Sequence, residues 1–193
     1  MGITKHKITY GINNLIDTPL WNLIQETINS TDLQFEDGVF FQDDDRKDVR
    51  KSKITWLADN YLRQQLFYSV NLYNKQHWNY DIDGCDPIQY GTYSGGEYYD
   101  WHVDEEEETP IITGKLLERK LSMTIWLNDP DEYEGGEFDI ETKGPYMDVR
   151  YETFKLKKGS IVIFPSDKWH RVRPVTSGVR KSLVTWFRGS PFR

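Results

Sequence analysis

Cysteine is almost missing from this chain. The one thiol, Cys85, has no second cysteine to pair with, so no internal disulfide can brace the fold. Long apolar runs are missing too. No stretch approaches the roughly eighteen uninterrupted apolar residues that a membrane-spanning helix needs. The N-terminus, MGITKHKITYGINN, lacks the apolar segment of a secretory signal, and His6 stands where an N-myristoylation start wants Ser or Thr. Together these absences predict a protein of the reducing cytoplasm with no membrane attachment. Nothing near Cys85 in the sequence would activate it, so it reads as an inert buried thiol. Positive charge is in short supply: 24 Lys and Arg face 31 Asp and Glu, for a net charge of −7. That balance argues against a protein whose main task is gripping phosphate backbones, which calls for clustered cations. The densest acidic run, Glu105 to Glu108, reads as a solvated loop, or as an attraction for a substrate with cationic groups.

A hydrophobic fraction of 37% with 15% aromatics is a globular composition, and 193 residues suit one domain with a sizeable core. Thr18-Pro19 has the form of a helix N-cap followed by proline at the first helical position. Leu20, Leu23, Ile24, Thr27 and Ile28 then make one stripe. A second helix is predicted over about 52–76, where Ala58, Leu62, Leu66, Val70 and Tyr73 fall at helical spacing. Between the helices, Val39-Phe40-Phe41 suggests a short strand. From about residue 86 the pattern changes to short strands: IQYGTY, EYYDWHVD, KLSMTIWLN, GGEFDIE, YETFKLK, SIVIFP, HRVRPV and RKSLVTWF. Asn128-Asp129-Pro130, Gly135-Gly136, Gly144-Pro145, Lys158-Gly159 and Ser177-Gly178 supply turns. About eight short strands in about 100 residues predict an α+β, mainly β fold. Its core would be a β-sandwich or jelly roll over about 86–190, with the helical part, about 1–80, packed on one outer face.

The chemistry-bearing residues start with His102-Val103-Asp104. On a strand, alternate residues point to the same side, so the imidazole and the carboxylate can reach a common point. A third ligand must come from the remaining histidines, His6, His77 and His170. His170 opens a strand after the proline of SIVIFPSDKWH. Two histidines and a carboxylate are the facial triad of non-haem iron oxygenases, which leaves coordination positions open. Ten residues after His170 comes Arg180. On a strand, Arg180, Ser182, Val184 and Trp186 share one face, and a buried Arg beside a hydroxyl can clamp a carboxylate through two charge-assisted bonds. An ordinary amphipathic strand with Arg180 at its edge is the plainer alternative.

These residues carry a resemblance. The chain resembles the prolyl-4-hydroxylase-like branch of the 2-oxoglutarate/Fe(II) dioxygenases, nearest the bacterial PKHD-type hydroxylases and related phage-encoded oxygenases. The resemblance lies in YSGGEYYDWHVD (93–104), LSMTIWLNDPDEYEGGE (121–137) and KGSIVIFPSDKWH (158–170) followed by RVRPVTSGVR (171–180). It implies a double-stranded β-helix, with Fe(II) on His102, Asp104 and His170 and the distal carboxylate of 2-oxoglutarate on Arg180. It further implies a hydrogen bond from Tyr99 to that cosubstrate. Tyr93, Ser182 and Trp186 would line the pocket, and Val103, Val172 and Val184 would form a dry wall. The implied reaction hydroxylates an unactivated C–H bond with O2 while 2-oxoglutarate is decarboxylated to succinate, and ascorbate is an accessory that such enzymes use.

The resemblance also ranks substrates. Halogenases of the superfamily lack the triad carboxylate, whereas Asp104 is present. Nucleic-acid demethylases carry a second arginine six residues after the first, where this chain has Trp186. A prolyl or other amino-acid side chain, in a peptide or a small molecule, is the leading expectation. PKHD-type enzymes have a further C-terminal segment and different N-terminal helices, so their substrate preference is not carried across. Outside the superfamily, a non-enzymatic metal- or sugar-binding jelly roll and a zinc hydrolase on the same three ligands are the competing readings. The span from Glu105 to Lys120 is long enough to form a lid.

Overall fold

A computed structural model describes residues 10–38, 49–105, 111–112, 115–144 and 146–191. Its elements, in chain order, begin with β1 (Gly11–Asn14), α1 (Pro19–Ser30), β2 (Glu36–Asp37), β3 (Arg50–Lys51), β4 (Lys53–Leu57) and α2 (Asn60–His77). Then follow β5 (Gly84–Cys85), β6 (Ile88–Tyr93), β7 (Tyr98–His102), β8 (Ile111–Ile112), β9 (Lys115–Leu116) and β10 (Glu118–Trp126). The remainder is β11 (Tyr133–Gly135), β12 (Phe138–Glu141), β13 (Tyr151–Phe154), β14 (Ser160–Pro165), β15 (His170–Val172), β16 (Val175–Gly178) and β17 (Arg180–Gly189).

Local chemistry starts both helices. Thr18 Oγ1 accepts a hydrogen bond from Trp21 N at 3.1 Å with Pro19 in the first turn, as the sequence predicts. The second helix begins later than expected. Asp59 is its N-cap, accepting from Leu62 N at 2.9 Å and from the Thr27 hydroxyl of α1 at 2.8 Å. Residues 53–57 are instead a strand, paired antiparallel with β6 from Lys53↔Thr92 to Leu57↔Ile88. Ile54, Thr55 and Trp56 are β-branched or aromatic and suit a pleated surface, and pairing with β6 outweighs the helical spacing of Ala58. The expected strand at Val39-Phe40-Phe41 lies outside the described residues.

The strands form two main sheets. The larger runs β1-β14-β10-β17-β6-β4-β2, with β5 also pairing β17; the smaller runs β13-β12-β15-β7-β3. β11 pairs β16, and β8 pairs β9 as a short hairpin. All the strand pairs are antiparallel. Alternation along the central strands divides the interior in two. Leu121, Met123 and Ile125 of β10 pack with Leu183 and Phe187 of β17 against Ile24, Leu62, Leu66 and Val70 of the helices. The residues between them on β10 and β14, Trp126, Val162 and Phe164, meet Phe138, Ile140 and Val172 of the smaller sheet. The expected mainly β jelly roll with helices on one face is borne out.

Several expected strands are cut differently; YETFKLK, for one, is a strand only over Tyr151–Phe154. HRVRPV breaks at Arg173-Pro174, because Pro174 has no N–H for a ladder; its carbonyl accepts from Gly136 N at 3.1 Å. GGEFDIE separates into β11 and β12, because Gly135 (φ 71°) and Gly136 (φ 65°) turn the chain between them. A Cβ on Gly135 would stand 2.2 Å from Pro174 O, so the approach of those two backbones requires glycine. In EYYDWHVD, ladder pairing ends at His102.

Candidate metal centre

His102 and His170 are cross-strand partners on β7 and β15, which brings their ring centroids to 4.1 Å. Asp104 lies beyond the end of β7, where Ser166 O accepts from its backbone N–H at 3.0 Å. Thus alternation of a paired strand is only part of what aims Asp104. The carbonyl at the turn after β14 holds the chain extended for two residues more. Asp104 Oδ2 stands 3.3 Å from His170 Nε2, and Oδ1 stands 3.8 Å from His102 Nε2. One ligand atom from each residue falls within 4.8 Å of the others, and all three side chains are buried.

Backbone carbonyls set the tautomers. His102 Nδ1 lies 2.7 Å from Asp100 O, and His170 Nδ1 lies 2.8 Å from Lys168 O. A carbonyl can only accept, so each Nδ1 is the N–H donor and each Nε2 keeps a lone pair toward Asp104. Burial above all pushes the pKa of His102 well below its ordinary value, which keeps that ring neutral. Burial alone would raise Asp104. His170, His102 and Arg119 around it instead hold its carboxyl well below the usual range. Neutral imidazole and ionised carboxylate are the donor set a divalent transition metal takes.

Tyr99 and His102 are three residues apart, which on a regular strand would send them to opposite faces. A β-bulge resolves this. His170 pairs His102 and Val172 pairs Tyr99, so β7 spends three residues where β15 spends two. The Tyr99 ring consequently stacks on His102, with centroids 3.5 Å apart and planes within 9°. Burial pushes its phenol far above the ordinary value, so it stays protonated.

Arg180 is 1% exposed and is not an edge residue. It pairs Tyr93 across β17 and β6, and Nη1 donates to Ser182 Oγ at 2.9 Å. Its guanidinium carbon lies 5.6 Å from the Tyr93 ring centroid and 5.3 Å from that of Trp126. Nε and Nη2 are buried without hydrogen-bond partners, and burial lowers the pKa, as expected of a cation lacking an anion. Trp126 Nε1 and Tyr133 Oη, in the same core cluster, also have no hydrogen-bond partner.

One cavity is lined by all the sequence-predicted site residues: His102, Asp104, His170, Arg180, Tyr99, Tyr93, Ser182 and Trp186. Of the expected dry wall, Val172 and Val184 line it, whereas Val103 is partly exposed and does not. Phe138 and Phe164 complete the apolar side. Sequence reasoning missed Arg50 and Gln89. Arg50 Nη2 donates to Gln89 Oε1 at 2.7 Å, and its guanidinium lies 4.7 Å from the Tyr99 centroid. Arg50 belongs to a two-residue strand, too short to carry a periodic signal. Of the acidic run, Glu106 to Glu108 lie outside the described residues, as do 109–110 and 113–114 of the expected lid.

The donor set suits Fe(II), and a buried guanidinium with two unused nitrogens suits a carboxylate of 2-oxoglutarate. Comparison with known proteins points the same way. The chain is 32% identical over 139 residues to a PKHD-type hydroxylase of Pseudoalteromonas atlantica, a match covering 72% of this chain and 53% of the relative. A PKHD-type hydroxylase of Hyphomonas neptunium is 41% identical over 98 residues, covering 49% and 39%. The chain therefore spans about half the length, or less, of the curated relatives it matches. Among solved structures, a Pseudomonas putida prolyl-4-hydroxylase superposes with a TM-score of 0.67 at 18% identity, covering 95% of this chain and 94% of that one. A viral collagen prolyl hydroxylase from Paramecium bursaria Chlorella virus-1, solved with 2-oxoglutarate, gives 0.64 at 20%, covering 97% and 99%. At such identities these two likenesses establish the fold. The family model for the 2OG-Fe(II) oxygenase superfamily matches residues 88–188, which include every residue of the triad and Arg180, and the chain belongs to that superfamily.

Proposed function

We propose that this chain is an Fe(II)- and 2-oxoglutarate-dependent hydroxylase of an amino-acid side chain, with a prolyl residue the leading substrate. The observation that carries this reading is the pairing, in one cavity, of a buried His-Asp-His cluster with a buried arginine whose Nε and Nη2 have no partner. His102 and His170 would offer Nε2 and Asp104 its carboxylate, while Arg180 and Ser182 would hold the distal carboxylate of 2-oxoglutarate. The bound iron would supply oxygen activation, coupling conversion of C–H to C–OH with conversion of 2-oxoglutarate and O2 to succinate and carbon dioxide. The protein's own task is orientation and dryness: Phe138, Phe164, Val172 and Val184 wall the cavity against water.

The substrate class rests on the names of the relatives, PKHD-type hydroxylases and prolyl hydroxylases. Asp104 is the one acidic residue among the described lining residues, where Arg50 and Arg180 add positive charge. That lining favours a neutral substrate group over a cationic one. It also disfavours a zinc hydrolase, for which the described lining offers no carboxylate outside the triad as general base.

The test is anaerobic addition of Fe(II) and then 2-oxoglutarate, watching for the weak visible charge-transfer band of the chelate. The band should appear in the wild type and be lost or weakened in His170→Ala and Arg180→Ala. Confirmed iron binding without any band would overturn the proposal.

A further inference from the structure

The strands that carry the two histidines have a second face. On β12 and β15, Ile140 and His170 point into the interior, while Asp139 and Arg171, paired across the same strands, point away from it. Trp101 and Trp169 each precede a histidine of the cluster and stand on this reverse side. There they line a cleft of about 300 Å³ with Glu141, Asp148, Arg150 and Tyr151. None of these six lines the metal cavity. The volume is at the lower end of the range for small-molecule sites, roughly 300–1,000 Å³.

The cleft is built, not incidental. The Trp101 and Tyr151 centroids lie 5.4 Å apart, and the Arg171 guanidinium sits 4.7 Å from the centroid of Trp101. Arg171 is held in turn by Asp139 at 2.7 Å, so the aromatic wall is braced from beneath. Trp169 is left 43% exposed, a large ring available for stacking. Glu141 and Arg150 close the opposite side as an ion pair at the base of the β12–β13 connection, where Thr142 N and Lys143 N donate to Arg150 O. Arg150 Nε and Nη2 both bond Glu141 Oε1, so one carboxylate oxygen and one guanidinium nitrogen remain for a ligand.

Charge decides what that ligand is. In the lining Arg150 stands with Glu141 and Asp148, and beneath it Arg171 and Arg173 share Asp139, a balance of three cations and three anions that attracts neither a polyanion nor a polycation. A flat exposed indole beside an adjacent acceptor and donor suits a ring with one apolar face and a rim of hydroxyls, because every hydroxyl both donates and accepts. We propose that this cleft is a binding site for a neutral saccharide, with a pyranose ring stacked on Trp169 and adjacent hydroxyls bonded to Glu141 and Arg150.

The experiment titrates the intact protein with cellotetraose, maltotetraose and tri-N-acetylchitotriose, followed by ligand-observed NMR and calorimetry. The variants are Trp169→Ala and Glu141→Gln, both at partly exposed positions whose replacement should leave the melting temperature nearly unchanged. Saturable binding of at least one sugar is expected, weakened at least about tenfold in each variant, the scale of one lost stacking or charged contact. Saturating 2-oxoglutarate with Mn(II) should not displace it. No saturable binding of any of the three, binding that survives either substitution, or displacement by 2-oxoglutarate would each overturn the proposal. So would a proline-rich peptide that occupies the cleft in place of the sugars.

Discussion

At the scale of the residue, the decisive contrast is between polar groups that have partners and those that do not. The two Nδ1 atoms are engaged by carbonyls, which turns each Nε2 toward Asp104; Arg180 donates one hydrogen bond, from Nη1 to Ser182, while its Nε and Nη2 make none. Under the proposed function, Asp104→Ala should lower iron affinity by more than about 100-fold, beyond the 10–100-fold typical of outer hydrogen-bond partners, while the far-UV circular dichroism stays native. Calorimetric metal titration measures this, and wild-type affinity in the variant would remove Asp104 from the site. Arg180→Ala should raise the apparent KM for 2-oxoglutarate by roughly 10–150-fold, the loss of charge-assisted bonds worth about 1.5–3 kcal/mol. Steady-state kinetics on that variant would show an unchanged KM if the guanidinium served only the fold. Cys85 behaves as its sequence surroundings suggest. Burial pushes its thiol up to about 11, and Sγ lies 3.3 Å from the Thr185 hydroxyl, so it is a poor nucleophile.

At the scale of the element, short strands are placed by their neighbours and helices by their caps. Asp59 both caps α2 and accepts from Thr27 of α1, tying the two helices together. Asp59→Ala should therefore cost about 1–2 kcal/mol, measurable as a lower urea midpoint at unchanged m-value. The smaller sheet has its own anchor in Asp139, whose Oδ2 accepts from Arg171 at 2.7 Å and Arg173 at 2.8 Å and whose Oδ1 accepts from Thr153 at 2.7 Å. Burial alone would raise this carboxyl. The hydrogen bonds from Arg173, Thr153 and Arg171 overcome burial and lower it. A carboxyl lowered in the folded state contributes stability above its unfolded value near 3.9, and that contribution is lost as pH falls through the folded value. Asp139→Asn should thus be less stable than wild type at pH 7, by about 1–3 kcal/mol. Denaturant melts as a function of pH should show the gap closing below about pH 4, and a gap independent of pH would contradict the charge-based role.

At the scale of the whole molecule, two cores share the central strands. One packs the large sheet on the helices, and the other fills the space between sheets and surrounds the candidate metal cavity. No helix among the described residues is long and apolar enough to cross a membrane. Because Arg180, Ser182, Val184 and Trp186 reach the cavity from the large sheet and both histidines reach it from the small one, ligand binding should clamp the layers together. Mn(II) with 2-oxoglutarate at about 100 times its Kd should stabilise the fold by about 2.7 kcal/mol, a rise in melting temperature of about 5–10 °C. Differential scanning fluorimetry reads this, and Arg180→Ala should lose most of the rise. An equal rise in that variant would show that 2-oxoglutarate binds elsewhere.

Much of this was determined by sequence alone, because the signals are local. Turn residues and strand-length runs define a mainly β chain, and Thr18-Pro19 marks a helix start. The parity of residues 180, 182, 184 and 186 places four side chains in one cavity whatever the partners of β17 turn out to be. Other features depend on partners distant in the chain, and only the tertiary structure decided them. Residues 53–57 became a strand because β6 offers a ladder, against a helical spacing that continues from Ala58. Tyr99 faces the same way as His102 because β15 imposes a bulge on β7. Arg50 reaches the cavity through a strand only two residues long. The reverse cleft assembles Trp101, Glu141, Tyr151 and Trp169 from four strand ends that no periodicity connects. Hydrophobic alternation reports which face of an element is buried. It carries no information on which other element covers that face, and in this chain that covering brings Arg50 and Gln89 to the candidate site and builds the cleft behind it.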